Sequence, residues 1–218
     1  MAKLKIAILI SGRGTNMQAL IDYCSTENAG AEIALVLSNV RDAVGLDRAT
    51  EADVPSVTID HKQYASREHF EDAVTKTLED HDIQLVCLAG FMRLLTGTFV
   101  DHWRDRLINI HPSLLPAFKG LDTHERALAE GVRFTGCTVH YVRAKMDTGP
   151  IIVQAAVPIL SDDDSESLAM RVLVAEHRCY PYALSLIAEG KTRIIGEKVL
   201  IDGAQAPGPA FLNPTDDT

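Results

Sequence analysis

Three short runs carry residue types and spacings that could do chemistry. The first, Asn109-Ile110-His111-Pro112-Ser113-Leu114-Leu115-Pro116, sets an amide and an imidazole two positions apart before a proline-bounded exit. An amide donates and accepts, and an imidazole is a general acid or base near neutral pH. A lone buried histidine is more often structural, but the adjacent Asn109 and the stiff exit favour chemistry here. The second run, Asp147-Thr148-Gly149-Pro150, offers a carboxylate on what by itself reads as an ordinary turn. The third is Ser11-Gly12-Arg13-Gly14-Thr15-Asn16. Its glycines let the backbone approach a ligand, and the amides at a helix N-terminus attract an anion. Met17 stands where a dinucleotide fingerprint needs its third glycine, and Ser38-Asn39 replaces the acid expected for a ribose. No G-x-x-x-x-G-K-[ST] occurs. What remains is a phosphate-monoester site or a tight turn with no ligand.

The elements that must position these runs follow from hydrophobic rhythm. Strands are expected at Lys5–Ile10, Glu32–Ser38, Pro55–Ile59, Leu85–Ala89 and Leu107–Ile110, and helices at Asn16–Cys24, Val44–Glu51, Ser66–Asp80 and Thr98–Trp103. That alternation predicts an α/β fold, a doubly wound and mostly parallel sheet. Thr138–Arg143 and Ile151–Val157 read as strands around the Asp147 turn, giving the C-terminal portion an antiparallel character. A long helix opens at Asp162-Asp163-Asp164-Ser165 and runs to about Gly190, with a kink or break expected near Tyr180 because Pro181 follows. Thr192–Ile195 and Lys198–Ile201 suggest a closing hairpin. In such sheets ligands bind beyond the carboxyl ends of the strands, where Asn109 and His111 fall. Ala89-Gly90-Phe91-Met92-Arg93-Leu94-Leu95 leaves a strand at the same edge, as the wall of a pocket for a flat heterocycle or as plain core packing.

Composition narrows the field. The chain has 218 residues, 46% hydrophobic and 23% charged, which excludes disordered, collagen-like and disulfide-stapled classes. Thirty Asp+Glu against 21 Lys+Arg give a net charge of −9, which argues against nucleic-acid and membrane partners and leaves small molecules. Any anionic ligand must then be held locally against the general field. Cys24, Cys87, Cys137 and Cys179 are scattered, with no C-x-x-C pair, so a reducing compartment and no metal are expected. The apolar run Ile6–Ile10 is too short for a signal-peptide core or a membrane span. The expectation is a cytoplasmic protein, monomer or homodimer, with one domain over residues 1–203. Residues 204–218, with three prolines and no periodicity, read as a poorly ordered tail.

Together these motifs resemble the phosphoribosylglycinamide formyltransferase family of folate-dependent purine synthesis, over roughly residues 4–203. Asn-x-His-Pro-Ser-Leu-Leu-Pro followed by Asp-x-Gly-Pro marks formyl-folate enzymes in general, and the opening Ser-Gly-x-Gly-[Ser/Thr]-Asn marks the ribonucleotide-using branch. Gly120–His124 and Glu176-His177 add to the match. The resemblance implies a Rossmann-like formyltransferase fold, with 10-formyltetrahydrofolate as co-substrate. It implies Asn109, His111 and Asp147 as the catalytic set. Gly14, Thr15 and Asn16 would hold the phosphate of glycinamide ribonucleotide, with Glu176 on its ribose. Arg67, Met92, Arg93, Leu94 and Leu95, with Arg143, Ala144, Lys145, Met146 and Asp147, would embrace the folate. Thr15 replaces a common serine and keeps the hydroxyl, Thr148 replaces a common glycine, and Arg13 fills a position usually small or amide-bearing. The alternatives are a formyltetrahydrofolate deformylase and a non-catalytic folate or nucleotide binder. Deformylases carry an added N-terminal regulatory domain, and strand one, starting by residue 5, leaves no room for it. All three catalytic side chains are present, which speaks against an idle binder.

Overall fold

The structure, a computed structural model, describes residues 2–205, 208 and 212–214. Seven strands form one sheet: β1 (Leu4–Ile10), β2 (Ala31–Ser38), β3 (Ser56–Thr58), β4 (Leu85–Leu88), β5 (Leu107–His111), β6 (Phe134–Tyr141) and β7 (Ile151–Pro158). Their order is β3-β2-β1-β4-β5-β6-β7. The first five run parallel; β6 and β7 are antiparallel. The hairpin of β8 (Thr192–Ile195) and β9 (Lys198–Ile201) stands apart as a second sheet. The expected architecture is present, a mostly parallel α/β sheet with an antiparallel C-terminal portion.

Period-two alternation sorts the strand residues between two helix layers. Ile6, Ile8 and Ile10 of β1 enter the core shared with α1 (Thr15–Cys24), α2 (Gly45–Glu51), α5 (Thr123–Ala129) and α6 (Ser165–Ala188). Ala7 and Leu9 enter the other, with Phe70, Val74 and Leu78 of α3 (Arg67–Asp80) and Phe99 and Val100 of α4 (Gly97–His102). Being covered on both faces is what makes β1 read as a continuous apolar run.

Helix α6 runs on through Pro181, so the break expected near Tyr180 does not occur. Proline there removes the amide that would bond the His177 carbonyl. Tertiary packing outweighs that loss: Tyr180, Ala183 and Leu184 are fully buried, and the Tyr180 hydroxyl donates to the Leu88 carbonyl at 2.9 Å. Helix α5 was not foreseen, and β6 begins at Phe134, four residues before the expected start. Of the tail, residues 206–207, 209–211 and 215–218 lie outside the described residues. Asn213 Nδ2 donates to the carbonyls of Arg133 (2.6 Å) and Ile159 (2.9 Å), tying that residue to the ends of β6 and β7.

The start of α6 is fixed by two acids. Asp164 caps it, its side chain accepting from the Ser167 amide in a capping box. Asp163 accepts from both Arg171 Nη atoms at 2.7 Å and from the Leu160 amide at 2.8 Å. The Arg171 hydrogen bonds, foremost, hold its carboxyl down at about 2 against an ordinary 3.8. A depressed carboxyl stabilises the fold above its unfolded value and loses that contribution as pH falls through its folded one. Asp163→Asn should therefore cost about 1–2 kcal/mol at pH 7. In denaturant titrations that deficit should shrink as pH drops from 3.8 towards about 2.

Candidate active site

Strand β5 is the border between the parallel and antiparallel halves. Ile108 and Ile110 face α6, so Asn109 and His111 face the opposite side. In the register with β6, Asn109 stands opposite His140 and His111 opposite Thr138, so all four side chains share one face. The apolar core beneath α3 and α4 reaches only to Leu107 and Val142 on that side. Beyond it the polar face is covered by the segment 112–122 instead of a helix. Thr138 fastens that segment: its hydroxyl donates to the Ser113 carbonyl (2.7 Å) and accepts from the Leu115 amide (3.0 Å) and Gln154 Nε2 (2.9 Å).

His111 is buried with an acceptor beside each ring nitrogen. Nε2 donates to the Phe118 carbonyl at 2.9 Å, and Nδ1 lies 3.6 Å from Asp147 Oδ1, an ion-pair spacing too long for a hydrogen bond. Asp147 Oδ2 accepts from the Gly120 amide at 2.7 Å. Asp147 is delivered by a turn in which Gly149 (φ +116) passes so close to Tyr141 that a Cβ would sit 2.1 Å from its carbonyl oxygen. The Asp-x-Gly-Pro pattern therefore has a steric cause. Asn109 Nδ2 lies 3.4 Å from His140 Nε2. His140 Nδ1 faces the Tyr141 carbonyl at 3.0 Å, so Nδ1 carries the proton and Nε2 accepts from Asn109. Burial, foremost, pushes the His140 pKa down and keeps the ring neutral, against the opposing pull of the Tyr141 carbonyl.

The glycine-rich turn lies at the same carboxyl edge of the sheet. Gly14 caps α1 in the left-handed region, and the first helical bond runs from the Gln18 amide to the Gly14 carbonyl at 2.9 Å. The amides of Thr15, Asn16 and Met17 thus precede the helical ladder and suit an anion. A Cβ on Gly14 would lie 2.9 Å from Gly45 Cα, and the Gly45 amide donates to the Gly12 carbonyl, so α2 buttresses the turn. Arg48 Nε donates to the Arg13 carbonyl at 3.0 Å, while the Arg13 side chain is exposed. Asn16 Nδ2 donates to Glu176 Oε2 at 2.7 Å; Asn16 Oδ1 is buried and has no partner among the described residues.

The segment 89–95 follows β4, the parallel neighbour of β5, and the segment 143–147 leads from β6 to the Asp147 turn. Met92, Leu94, Leu121 and Met146 are all more than half exposed, an unusual concentration of apolar side chains in water. Among the described residues no group of three or more His, Cys, Asp or Glu is placed to hold a metal. Arg67 is exposed at the start of α3, one turn before Glu71, whose buried carboxylate accepts from the Thr96 amide and hydroxyl. The helix face carrying Arg67 is thereby joined to the end of the 89–95 segment. The Arg143 guanidinium is taken up by Asp105 (2.8 Å) and Glu197 (2.9 Å), leaving its backbone for a neighbouring ligand.

The model of the formyl transferase family matches residues 4–184. The chain belongs to that family. It is similar to the formyl transferase named phosphoribosylglycinamide formyltransferase of Escherichia coli (strain K12), 39% identical over 95% of this chain and 98% of that one. It is also 50% identical to part of the trifunctional purine biosynthetic protein adenosine-3 of Gallus gallus, of whose length it spans 19%. Among solved structures, glycinamide ribonucleotide transformylase 1 from Symbiobacterium toebii superposes with a TM-score of 0.89 at 47% identity, covering 91% of this chain and 94% of that one. A formyltetrahydrofolate deformylase from Pseudomonas syringae shares the fold at 25% identity and TM-score 0.84, but this chain covers only 66% of it.

The sequence motifs do not include His140 or Glu71, and they give Ser11 and Asn39 no role of their own. His140 carried a signal, since it alternates with Thr138 on a strand leading to the Asp147 turn. Glu71 carried none, because its partner Thr96 is set by the packing of α3 near α4. Glu176 is buried beside Asn16; burial pushes its carboxyl up, and the Asn16 hydrogen bond opposes this. A carboxyl raised on folding stabilises the fold least when ionised, and its penalty is complete above the folded value. Glu176→Gln keeps an acceptor for Asn16 and removes the charge. The variant should melt higher than the parent at pH 7.5, and calorimetry should show the gap closing as pH falls towards the ordinary 4.5.

Proposed function

We propose that this chain transfers the formyl group of 10-formyltetrahydrofolate to the amine of glycinamide ribonucleotide. The convergence of Asn109, His111 and Asp147 on one sheet face, at the same strand ends as an anion-binding turn, carries this reading. The phosphate lies on the amides of residues 15–17 with Asn16, and Glu176 takes the ribose. The folate heterocycle lies along Met92, Arg93, Leu94 and Leu95 and the backbone of 143–147, where the exposed apolar side chains give it contact area. Arg67, a cation on the α3 face, suits the folate's carboxylates.

The amine nitrogen attacks the formyl carbon. A C–N bond forms, the carbonyl oxygen takes up the electron pair, and collapse of this tetrahedral species breaks the bond to the folate nitrogen. Asn109, aimed by neutral His140, has a second Nδ2 proton for the oxyanion. Imidazolium His111 gives Nε2–H, which already points at an oxygen, the Phe118 carbonyl. The oxyanion must take that oxygen's place, so the segment 112–122 has to give way. Asp147, 3.6 Å from Nδ1, balances the imidazolium and positions a water that carries the amine's proton towards the leaving nitrogen.

Asp147→Asn preserves shape, and asparagine tolerates the φ of +48 found there. Turnover should fall at least about 100-fold, while affinities for ribonucleotide and an unreactive folate analogue change only a few-fold. Near-parental kcat in a steady-state assay would remove Asp147 from the chemistry. Asn16→Leu should instead weaken ribonucleotide binding by about tenfold or more with little effect on the folate analogue, by calorimetric titration. Product analysis with both substrates separates the readings. Formylated ribonucleotide supports transfer, whereas free formate without ribonucleotide supports the deformylase.

A further inference from the structure

Ser11, the first residue after β1, makes three bonds that leave its own loop. Its amide donates to the Gly90 carbonyl at 3.2 Å. Its hydroxyl oxygen accepts from the Met92 amide at 2.7 Å, and the hydroxyl proton goes to Asn39 Oδ1 at 2.5 Å. Asn39 is buried just past the end of β2, with His61 Nδ1 lying 3.0 Å from its backbone carbonyl and 3.1 Å from its Nδ2. One hydroxyl thus joins the carboxyl ends of β1, β2 and β4. Chain order reverses between β1 and β4, the crevice where open α/β sheets bind ligands. Ser11 also opens the turn that leads to Gly14–Asn16, and Gly90 and Met92 belong to the segment along which the folate lies.

We propose that Ser11 is a positioning residue that couples the two substrate sites, so that each substrate binds more tightly when the other is present. The inference rests on the assignment of the two loops made above. A serine hydroxyl both accepts and donates, and only with both bonds made does it fix the Met92 amide relative to the phosphate turn. Gly90, at φ +74, offers little stiffness of its own, so the Met92 amide is where the folate segment gains its register. When ribonucleotide orders the turn, Ser11 is held, and with it the backbone that meets the folate. The linkage is reciprocal.

Ser11→Ala deletes the hydroxyl and leaves the backbone bond to Gly90. Calorimetric titrations should be run with ribonucleotide and an unreactive folate analogue, each alone and each with the other bound. The parent should show mutual enhancement. In Ser11→Ala the folate analogue should bind about tenfold more weakly, ribonucleotide alone should bind within about twofold of the parent, and the enhancement should vanish. Ser11→Thr, which keeps the hydroxyl, should restore it. Should Ser11→Ala fail to fold, Ser11→Cys keeps the side-chain volume and loses the strong acceptor, and the same losses are expected. No enhancement in the parent, or enhancement that survives loss of the hydroxyl, overturns the coupling. So does equal weakening of both ligands together with a lowered melting temperature. Asn16→Leu is the reference variant. If it leaves ribonucleotide binding intact, the site assignment itself fails. If it weakens that binding while Ser11→Ala keeps the enhancement, only the coupling fails.

Discussion

The register between β5 and β6 is the constraint on which the rest of the site depends. Because β5 bonds a parallel neighbour on one side and an antiparallel one on the other, its polar residues meet a strand running back past them. A further parallel strand would have required a crossover helix over this face. The antiparallel return needs none, and the face of Asn109, His111, Thr138 and His140 is covered by the segment 112–122 instead. A slip of one residue would turn Asn109 and His111 into the α6 core and bring Ile108 and Ile110 to the site. The apolar demand of the α6 face is therefore what holds the catalytic face in place.

Charge is handled locally in a chain whose net charge is −9. An anionic substrate approaching such a surface gains little from the overall field, so specific amides and side chains must do the holding. Arg143, at the start of the 143–147 segment, is tied to Asp105 and Glu197. Arg48 spends its Nε on the Arg13 carbonyl, which stiffens the phosphate turn. The neutral His140 is the counterpart inside. A charged ring could not accept from Asn109, so the same burial that lowers its pKa also fixes the orientation of the Asn109 amide.

Much of this was legible in the sequence, for a physical reason in each case. The β1 run reads as a doubly covered strand because both faces meet helices. The glycine spacing in Ser11–Asn16 reads as a tight strand-to-helix turn because Gly14 must adopt a left-handed conformation and pack against Gly45. Gly149 is forced by its approach to Tyr141. The missing parts are those settled by partners distant in the chain. Pro181 reads as a helix breaker until Tyr180 finds the Leu88 carbonyl 92 residues away. Ser11 reads as part of a phosphate loop until Met92 and Asn39 reach its hydroxyl. The hold of Glu197 on the Arg143 guanidinium, 54 residues away, leaves no mark in the local sequence of either.

The segment 112–122 lies over the face that carries Asn109 and His111 in a strained conformation. Phe118 and Asp122 both sit at positive φ, as does Gly120 between them. For residues with a side chain such conformations cost roughly 1–3 kcal/mol each. Two of the bonds holding that conformation go to the catalytic groups themselves, from His111 Nε2 to the Phe118 carbonyl and from the Gly120 amide to Asp147. Strain and fastening are thus concentrated at one place. Under the proposed mechanism, a ligand oxygen that bonds His111 would replace the Phe118 carbonyl as its acceptor. The groups that hold the segment are the ones to which the proposal assigns the chemistry.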